Sequence, residues 1–128
     1  PFRTSKHIDE SIELLSKNNV DSVISMAPVT EHPFFMYKII DKTKPDGLIK
    51  LDKKPERRQD LPDYWIMNNN IALSTSKYIY EAEKKGDHFL NQQNFLPYFI
   101  NGVSKIDINT EIDFQYAEFM MKLKGKEE

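Results

Sequence analysis

The sequence predicts an α/β fold, and three observations predict it. A stretch with helical periodicity runs straight into a small and apolar run, Val23-Ile24-Ser25-Met26-Ala27, which suits a strand covered on both faces. Helix followed by buried strand is the rhythm of α/β proteins, and it returns after residue 70. Between the two stretches, residues 31–70 hold four of the seven prolines and read as an excursion from the sheet.

The first helix is predicted over residues 5–17. Ile8, Ile12 and Leu15 recur at helical spacing, with Lys6, Asp9, Glu10 and Glu13 on other faces. Thr4 and Ser5 are good N-caps because a hydroxyl oxygen can accept a free first-turn amide, and Asn18-Asn19 end the helix. A strand follows over Asp21 to Val29. Within the excursion, Met36 to Ile40 and Leu48 to Leu51 read as strands joined by an Asp46-Gly47 turn, since glycine accepts positive φ without steric cost. A basic stretch from Lys53 to Asp60 comes next. The rhythm then resumes with a strand at Ile71–Thr75 and a helix at Ser76–Lys85 stopped by Gly86. A strand at Leu96–Ile100 and a helix at Thr110–Lys122 complete the series, the helix carrying Phe114, Ala117 and Met121 on one stripe. The tail from Gly125 is expected to fray.

Composition narrows the function. The 128 residues amount to one domain or part of one. Eighteen basic against 20 acidic side chains give a net charge of −2, which argues against a general nucleic-acid binder, because that affinity needs clustered cations on phosphates. No apolar stretch approaches the roughly 20 residues that span a bilayer, so no membrane partner is expected. The absence of cysteine excludes disulfides, thiolate metal sites and cysteine nucleophiles. A cytoplasmic, folded protein is the expectation. Its hydrophobic share of 39% is lean for a free-standing domain, so apolar cover is expected from elsewhere: a missing N-terminal half or a second subunit.

Three constellations can carry chemistry. In Ile106-Asp107-Ile108-Asn109-Thr110-Glu111-Ile112-Asp113-Phe114, Asp107 and Asn109 stand two residues apart at a strand-to-helix turn. Oxygen donors so placed can hold Mg²⁺ while substrate phosphates complete the octahedron. The bland alternative is local: Thr110 and Asp113 form a capping box and Asn109 shapes the turn. In Arg57-Arg58-Gln59-Asp60, arginine's planar fork suits a carboxylate or phosphate and Gln59 a neighbouring hydroxyl. Its alternative is a solvated loop balanced by Glu56 and Asp60. Glu31-His32-Pro33 reads as a turn with a structural histidine rather than as a ligand or base, and no two histidines have metal-ligand spacing. With four scattered glycines there is no P-loop, hydrolase elbow or dinucleotide fingerprint.

Taken in order, the segments resemble the C-terminal part of the bacterial acylneuraminate cytidylyltransferases, the CMP-sialic acid synthetases and their relatives. Pro1-Phe2-Arg3-Thr4-Ser5 resembles their P-L-R-T stretch, and Asp21 to Ser25 followed by Glu31-His32-Pro33 resembles their next strand and E-H-P turn. Arg57-Arg58-Gln59-Asp60-Leu61-Pro62 matches R-R-Q-D-L-P throughout, and Ile106 to Phe114 resembles I-D-I-D-T-E-x-D-F.

The resemblance implies a Rossmann-like nucleotidyltransferase domain of which residues 1–128 are the C-terminal half, with residues 30–70 as an inserted β-hairpin dimerisation arm. It implies a reaction of CTP with an acidic nine-carbon α-keto acid sugar, giving a CMP-sugar and pyrophosphate with Mg²⁺, in a homodimer. By the match, Asp107 is the catalytic metal ligand and Asn109 the second ligand position. Arg58 with Gln59 would contact the sugar acid, and Asn68, which opens the stretch where relatives read N-G-A-I-Y, is a further substrate contact. This chain departs at four positions: Asn109 replaces Asp, Asn69 replaces Gly, and Phe35 and Ile66 stand where relatives often place Lys and Arg. A different acid sugar, a nucleotidyltransferase for another sugar, or a degenerate non-catalytic assembly module are the alternatives these departures raise. Without the N-terminal nucleotide-binding half, the chain alone is expected to be inactive.

Overall fold

The computed structural model describes residues 1–41, 44–50 and 55–124. They form helices α1 (Ser5–Lys17), α2 (Ser76–Lys85) and α3 (Glu111–Lys124) and strands β1 (Ser22–Pro28), β2 (Tyr37–Asp41), β3 (Lys44–Gly47), β4 (Trp65–Ser74) and β5 (Phe95–Phe99). The fold is mixed α/β, as the sequence predicts. It divides into two units: residues Pro1–Ala27 with the chain from Met67 onward, and Pro28–Ile66.

In the first unit, β1 lies between β4 and β5. It pairs parallel with β5, Ser22 opposite Phe95 and Met26 opposite Phe99. Against β4 it runs antiparallel, because partner numbers fall on one strand as they rise on the other: Asp21 meets Thr75, Ser22 meets Ser74 and Ser25 meets Ile71. The central position explains the apolar run: Val23 and Ile24 are fully buried. The strand expected from Ile71 is the end of this longer β4.

Serine fills much of the remaining interior. Ser11, Ser22 and Ser25 are all fully buried. Each hydroxyl is hydrogen-bonded, which is the condition for burying a polar group: Ser11 Oγ donates to the His7 carbonyl (2.7 Å), Ser22 Oγ meets Ser74 Oγ (2.7 Å), and Ser25 Oγ donates to Asn68 Oδ1 (2.6 Å). Small polar residues in core positions are one reason the composition is lean.

The expected apolar stripe of α1 is not its buried face. Ile8 and Ile12 are about half exposed, while Ser11 is buried. The helix meets β5 through Glu10 and His7, which contact Tyr98; a small residue lets the helix backbone approach the sheet, whereas isoleucine holds it off. The stripe of α3 splits in the same way. Ala117 is buried, but Phe114 and Met121 remain half exposed, as does Phe119 on another side, where Ile112 is largely exposed. Helix α2 ends as expected on Gly86, whose φ of +70° is the left-handed conformation that glycine adopts without strain. The 125–128 tail lies outside the described residues.

In the second unit, β2 and β3 form an antiparallel pair, but its register corrects the expected hairpin. Asp46 and Gly47 are paired with Lys38 and Tyr37 inside the ladder, and the connection lies between Asp41 and Lys44. Gly47 sits beside the Tyr37 ring, where a Cβ would stand 3.7 Å from a ring carbon, an ordinary van der Waals contact; glycine here is a ladder residue rather than a turn residue. The predicted strand at Leu48–Leu51 is absent over Leu48–Lys50, apart from one bond from the Leu48 N–H to the Met36 carbonyl (3.0 Å), and Leu51 lies outside the described residues, as do Lys53 and Lys54.

Candidate functional site

The second unit contains a cleft of about 370 Å³ whose walls include Pro28, Thr30, His32, Arg58, Gln59 and Tyr64. Its two walls are sewn together by His32. The His32 Nδ1 accepts the Phe34 N–H (3.0 Å), so the neutral ring carries its proton on Nε2 and donates it to the Pro62 carbonyl, 3.0 Å away. The ring is buried and meets Tyr64 edge to face at 4.8 Å. With both nitrogens engaged, His32 is a structural residue, as its turn context predicts.

The two arginines of the Arg57-Arg58-Gln59-Asp60 motif have different tasks. Arg57 is consumed locally: Nε and Nη2 reach the two Asp60 carboxylate oxygens at 3.3 and 3.0 Å, and its backbone N–H adds a third bond to Asp60. That is the charge balancing the loop reading expects. Arg58 turns the other way. Its Nη2 donates to the Thr30 carbonyl (2.8 Å) and lies 3.5 Å from Glu31 Oε2, and its guanidinium carbon stands 6.0 Å from the centre of the Phe35 ring. Gln59 is an exposed residue on the same cleft. The Thr30 and Glu31 contacts could not be read from sequence, because they join positions 28 and 27 residues apart with no local periodicity to mark them.

In the first unit, the turn into α3 brings Asp107 and Asn109 together: Asn109 Nδ2 donates to Asp107 Oδ2 at 3.1 Å. The capping box is also present. Asp113 Oδ2 accepts the Thr110 hydroxyl (2.7 Å), the Thr110 N–H (2.8 Å) and the Asn109 N–H (3.2 Å), while the Asp113 N–H returns a bond to Thr110 Oγ1 (3.2 Å). The Thr110 hydroxyl and then the two backbone amides hold the Asp113 carboxyl below its usual range. Cap and candidate ligands therefore coexist: Asp113 builds the turn and leaves Asp107 exposed.

Among the described residues no three His, Asp or Glu side chains cluster for a metal. Mg²⁺ does not require three, since it is commonly held by one or two carboxylates with waters and substrate phosphates. Half a turn of the Asn109 amide would exchange its N–H₂ for its carbonyl oxygen, giving one charged and one neutral oxygen donor side by side. The pair fits such an ion.

Asn68 is placed inward. Its Oδ1 accepts the Ser25 hydroxyl (2.6 Å) and the Asn70 N–H (3.3 Å), and its Nδ2 is buried with no hydrogen-bond partner among the described residues. The oxygen is thus committed to the sheet, and only the amide nitrogen keeps donors to spare.

Comparison with known proteins gives the context for these clusters. No family model matches the chain. N-acylneuraminate cytidylyltransferases of Streptococcus agalactiae, from the serotype III strain NEM316 and the serotype Ia strain A909, are each 32% identical over 114 residues, which is 89% of this chain. The chain is a relative of these cytidylyltransferases. It spans 26% of their length. The post-translational flagellin modification protein B of Campylobacter coli is 25% identical over 127 residues, 98% of this chain and 50% of that protein. No helix among the described residues is long and apolar enough to cross a membrane.

Proposed function

We propose that this chain is the C-terminal half of a cytidylyltransferase that activates an acidic nine-carbon sugar, sialic acid or a relative, with CTP to give a CMP-sugar and pyrophosphate. The observation that carries the reading is the 32% identity to N-acylneuraminate cytidylyltransferases across 89% of the chain. The half-exposed apolar side chains of α1 and α3 support the further reading that the chain belongs to a larger Rossmann-like body, covered by its nucleotide-binding half and a second subunit. Residues 30–70 are then the dimerisation arm, and the homodimer works in the cytoplasm.

In this reading the anomeric hydroxyl of the α-keto acid sugar attacks the α-phosphate of CTP and pyrophosphate leaves. Arg58 orients the sugar by its carboxylate, with Gln59 on a neighbouring hydroxyl. Charge-assisted bonds from a planar guanidinium fix direction as well as affinity, which is what a positioning mechanism requires. Asp107 and Asn109 would hold Mg²⁺, whose chemistry is to neutralise the charge that builds on the phosphates. Asp113 keeps those two residues at the mouth of the turn.

The Phe35 and Ile66 positions favour a second reading. Both are apolar and half exposed, so neither supplies the cation that relatives often place there, which supports an acid sugar other than sialic acid, or a non-catalytic paralogue acting in assembly.

The test is pyrophosphate release by the full-length protein from CTP with N-acetylneuraminate and with other nine-carbon keto acid sugars, with and without Mg²⁺. Release that requires Mg²⁺ and falls by about 10²-fold or more in Asp107→Ala is the expected result, given what one electrostatic group contributes to a transition state. Wild-type turnover in Asp107→Ala rejects the metal role, and no release with any sugar favours the assembly module.

A further inference from the structure

We infer that Phe35 is a positioning residue for Arg58: its ring, held in place by the buried His32, fixes the direction in which the guanidinium meets a carboxylate. The inference rests on the proposed reading for the identity of that carboxylate, but the contact itself, a guanidinium carbon 6.0 Å from the ring centre, is read from geometry alone.

Phe35 is half exposed, so burial of apolar surface does not explain where its ring sits. Its position is nonetheless determined from several sides. The Phe35 N–H donates to the His32 carbonyl (2.9 Å) and the Met36 N–H to the Pro33 carbonyl (3.1 Å), closing the single turn Pro33–Phe35. His32 locks that turn through its two ring nitrogens, one to Phe34 and one to Pro62. The ring of Phe35 then stands edge-on to His32 at 6.4 Å and to Phe34 at 5.3 Å.

Arg58 is a long side chain, 62% exposed, and such a side chain samples many rotamers in water. Three groups restrain it here: the Thr30 carbonyl, the Glu31 carboxylate and the Phe35 ring. The first two engage the same nitrogen, Nη2, and so act on one corner of the fork. The Phe35 ring centre, 6.0 Å from the guanidinium carbon, is within reach for the negative face of a π system to attract the cation, and it restrains the fork from a third direction. The fork is thereby pre-oriented, and a carboxylate that binds it has less disorder to remove. Aromatic character matters at this position, not merely bulk.

The test uses the full-length protein labelled with ¹⁵N, as wild type, Phe35→Leu and Phe35→Trp, with the Arg58 side-chain signals assigned by their loss in Arg58→Lys. Without ligand, the Arg58 Nε–H and adjacent methylene signals are expected upfield of free arginine in wild type and Phe35→Trp, and at free values in Phe35→Leu. Signals at free values in the wild type, or unmoved in Phe35→Leu, overturn the inference. Titration with N-acetylneuraminate is the second arm: Phe35→Leu should bind about two- to fivefold more weakly and Phe35→Trp at least as tightly as wild type. Equal loss in Leu and Trp variants would mean that Phe35 only fills space, which overturns the inference as well. Failure of the wild type to bind this sugar or any other carboxylate, with the upfield shift intact, sinks the substrate reading and leaves the Phe35–Arg58 contact standing.

Discussion

The Ser25 hydroxyl accepts the backbone N–H of Ile71 at 2.8 Å, a bond that places a side chain where a strand ladder would ordinarily place a carbonyl. The same oxygen donates to Asn68 Oδ1, so one buried atom satisfies two polar groups of β4. Ser25→Ala is expected to destabilise the protein by about 1–3 kcal/mol, the cost of one buried group left unsatisfied, because the Ile71 N–H loses its partner while Asn68 Oδ1 keeps the Asn70 N–H. Urea unfolding followed by circular dichroism measures it; a change below about 0.5 kcal/mol would mean water replaces the hydroxyl without penalty.

Thr110 and Asp113 make the turn into α3 sensitive to acid. Hydrogen bonds to the ionised form lower the folded-state pKa of Asp113. A depressed carboxyl stabilises the fold above its unfolded value, and that contribution is lost as pH falls through the folded value. Acid titration by NMR should therefore show Asp113 protonating below an ordinary aspartate, with fraying of the first turn of α3 following it. In Thr110→Ala the Asp113 midpoint should rise, and the lost cap should cost about 1 kcal/mol; an unmoved midpoint would dissociate the two.

Tyr98 gives the opposite sign. Burial first, then its hydrogen bond to Glu10 at 2.5 Å, push the phenol up to about 12. A raised value stabilises the fold below the unfolded tyrosine range near 10, and that share is lost as pH climbs from about 10 to 12. Absorbance titration near 295 nm should find one phenol ionising with the last, and Tyr98→Phe should remove that step. Its persistence in Tyr98→Phe would assign it to another tyrosine.

Gly86 should resist substitution for a backbone reason alone. Nothing lies within 4 Å of where its Cβ would be, so Gly86→Ala introduces no clash. The left-handed φ of +70° should still cost about 1 kcal/mol, with Gly86→Asn costing less because asparagine tolerates that region. Equal stability of all three proteins by thermal unfolding would contradict this account.

Self-association tests the proposed arm. Light scattering of the full-length protein should report a dimer that weakens when exposed apolar residues of the second unit, Tyr37 and Ile39 on β2, are changed to Lys. A monomer at all concentrations would remove the dimerisation role.

The sequence by itself determined the three helices, the strands β1, β2 and β5, and most helix ends. Helix α1 begins after Thr4 and stops at Asn18, and α2 stops at Gly86, because caps and left-handed backbone are settled by residues within one turn of each other. The Thr110–Asp113 box and the Arg57–Asp60 pair were legible for the same reason, each spanning three positions. Only the tertiary structure decided that Ser11 rather than Ile8 faces the sheet, that Asp46-Gly47 lies inside a ladder rather than at its turn, and that Arg58 rests on Phe35 beside Thr30 and Glu31. Those outcomes depend on partners distant in the chain: how closely a helix can approach its sheet, which register two strands share, and which loop a guanidinium can reach. Local chemistry sets what a segment can become, and contacts across the fold select which face of it is used.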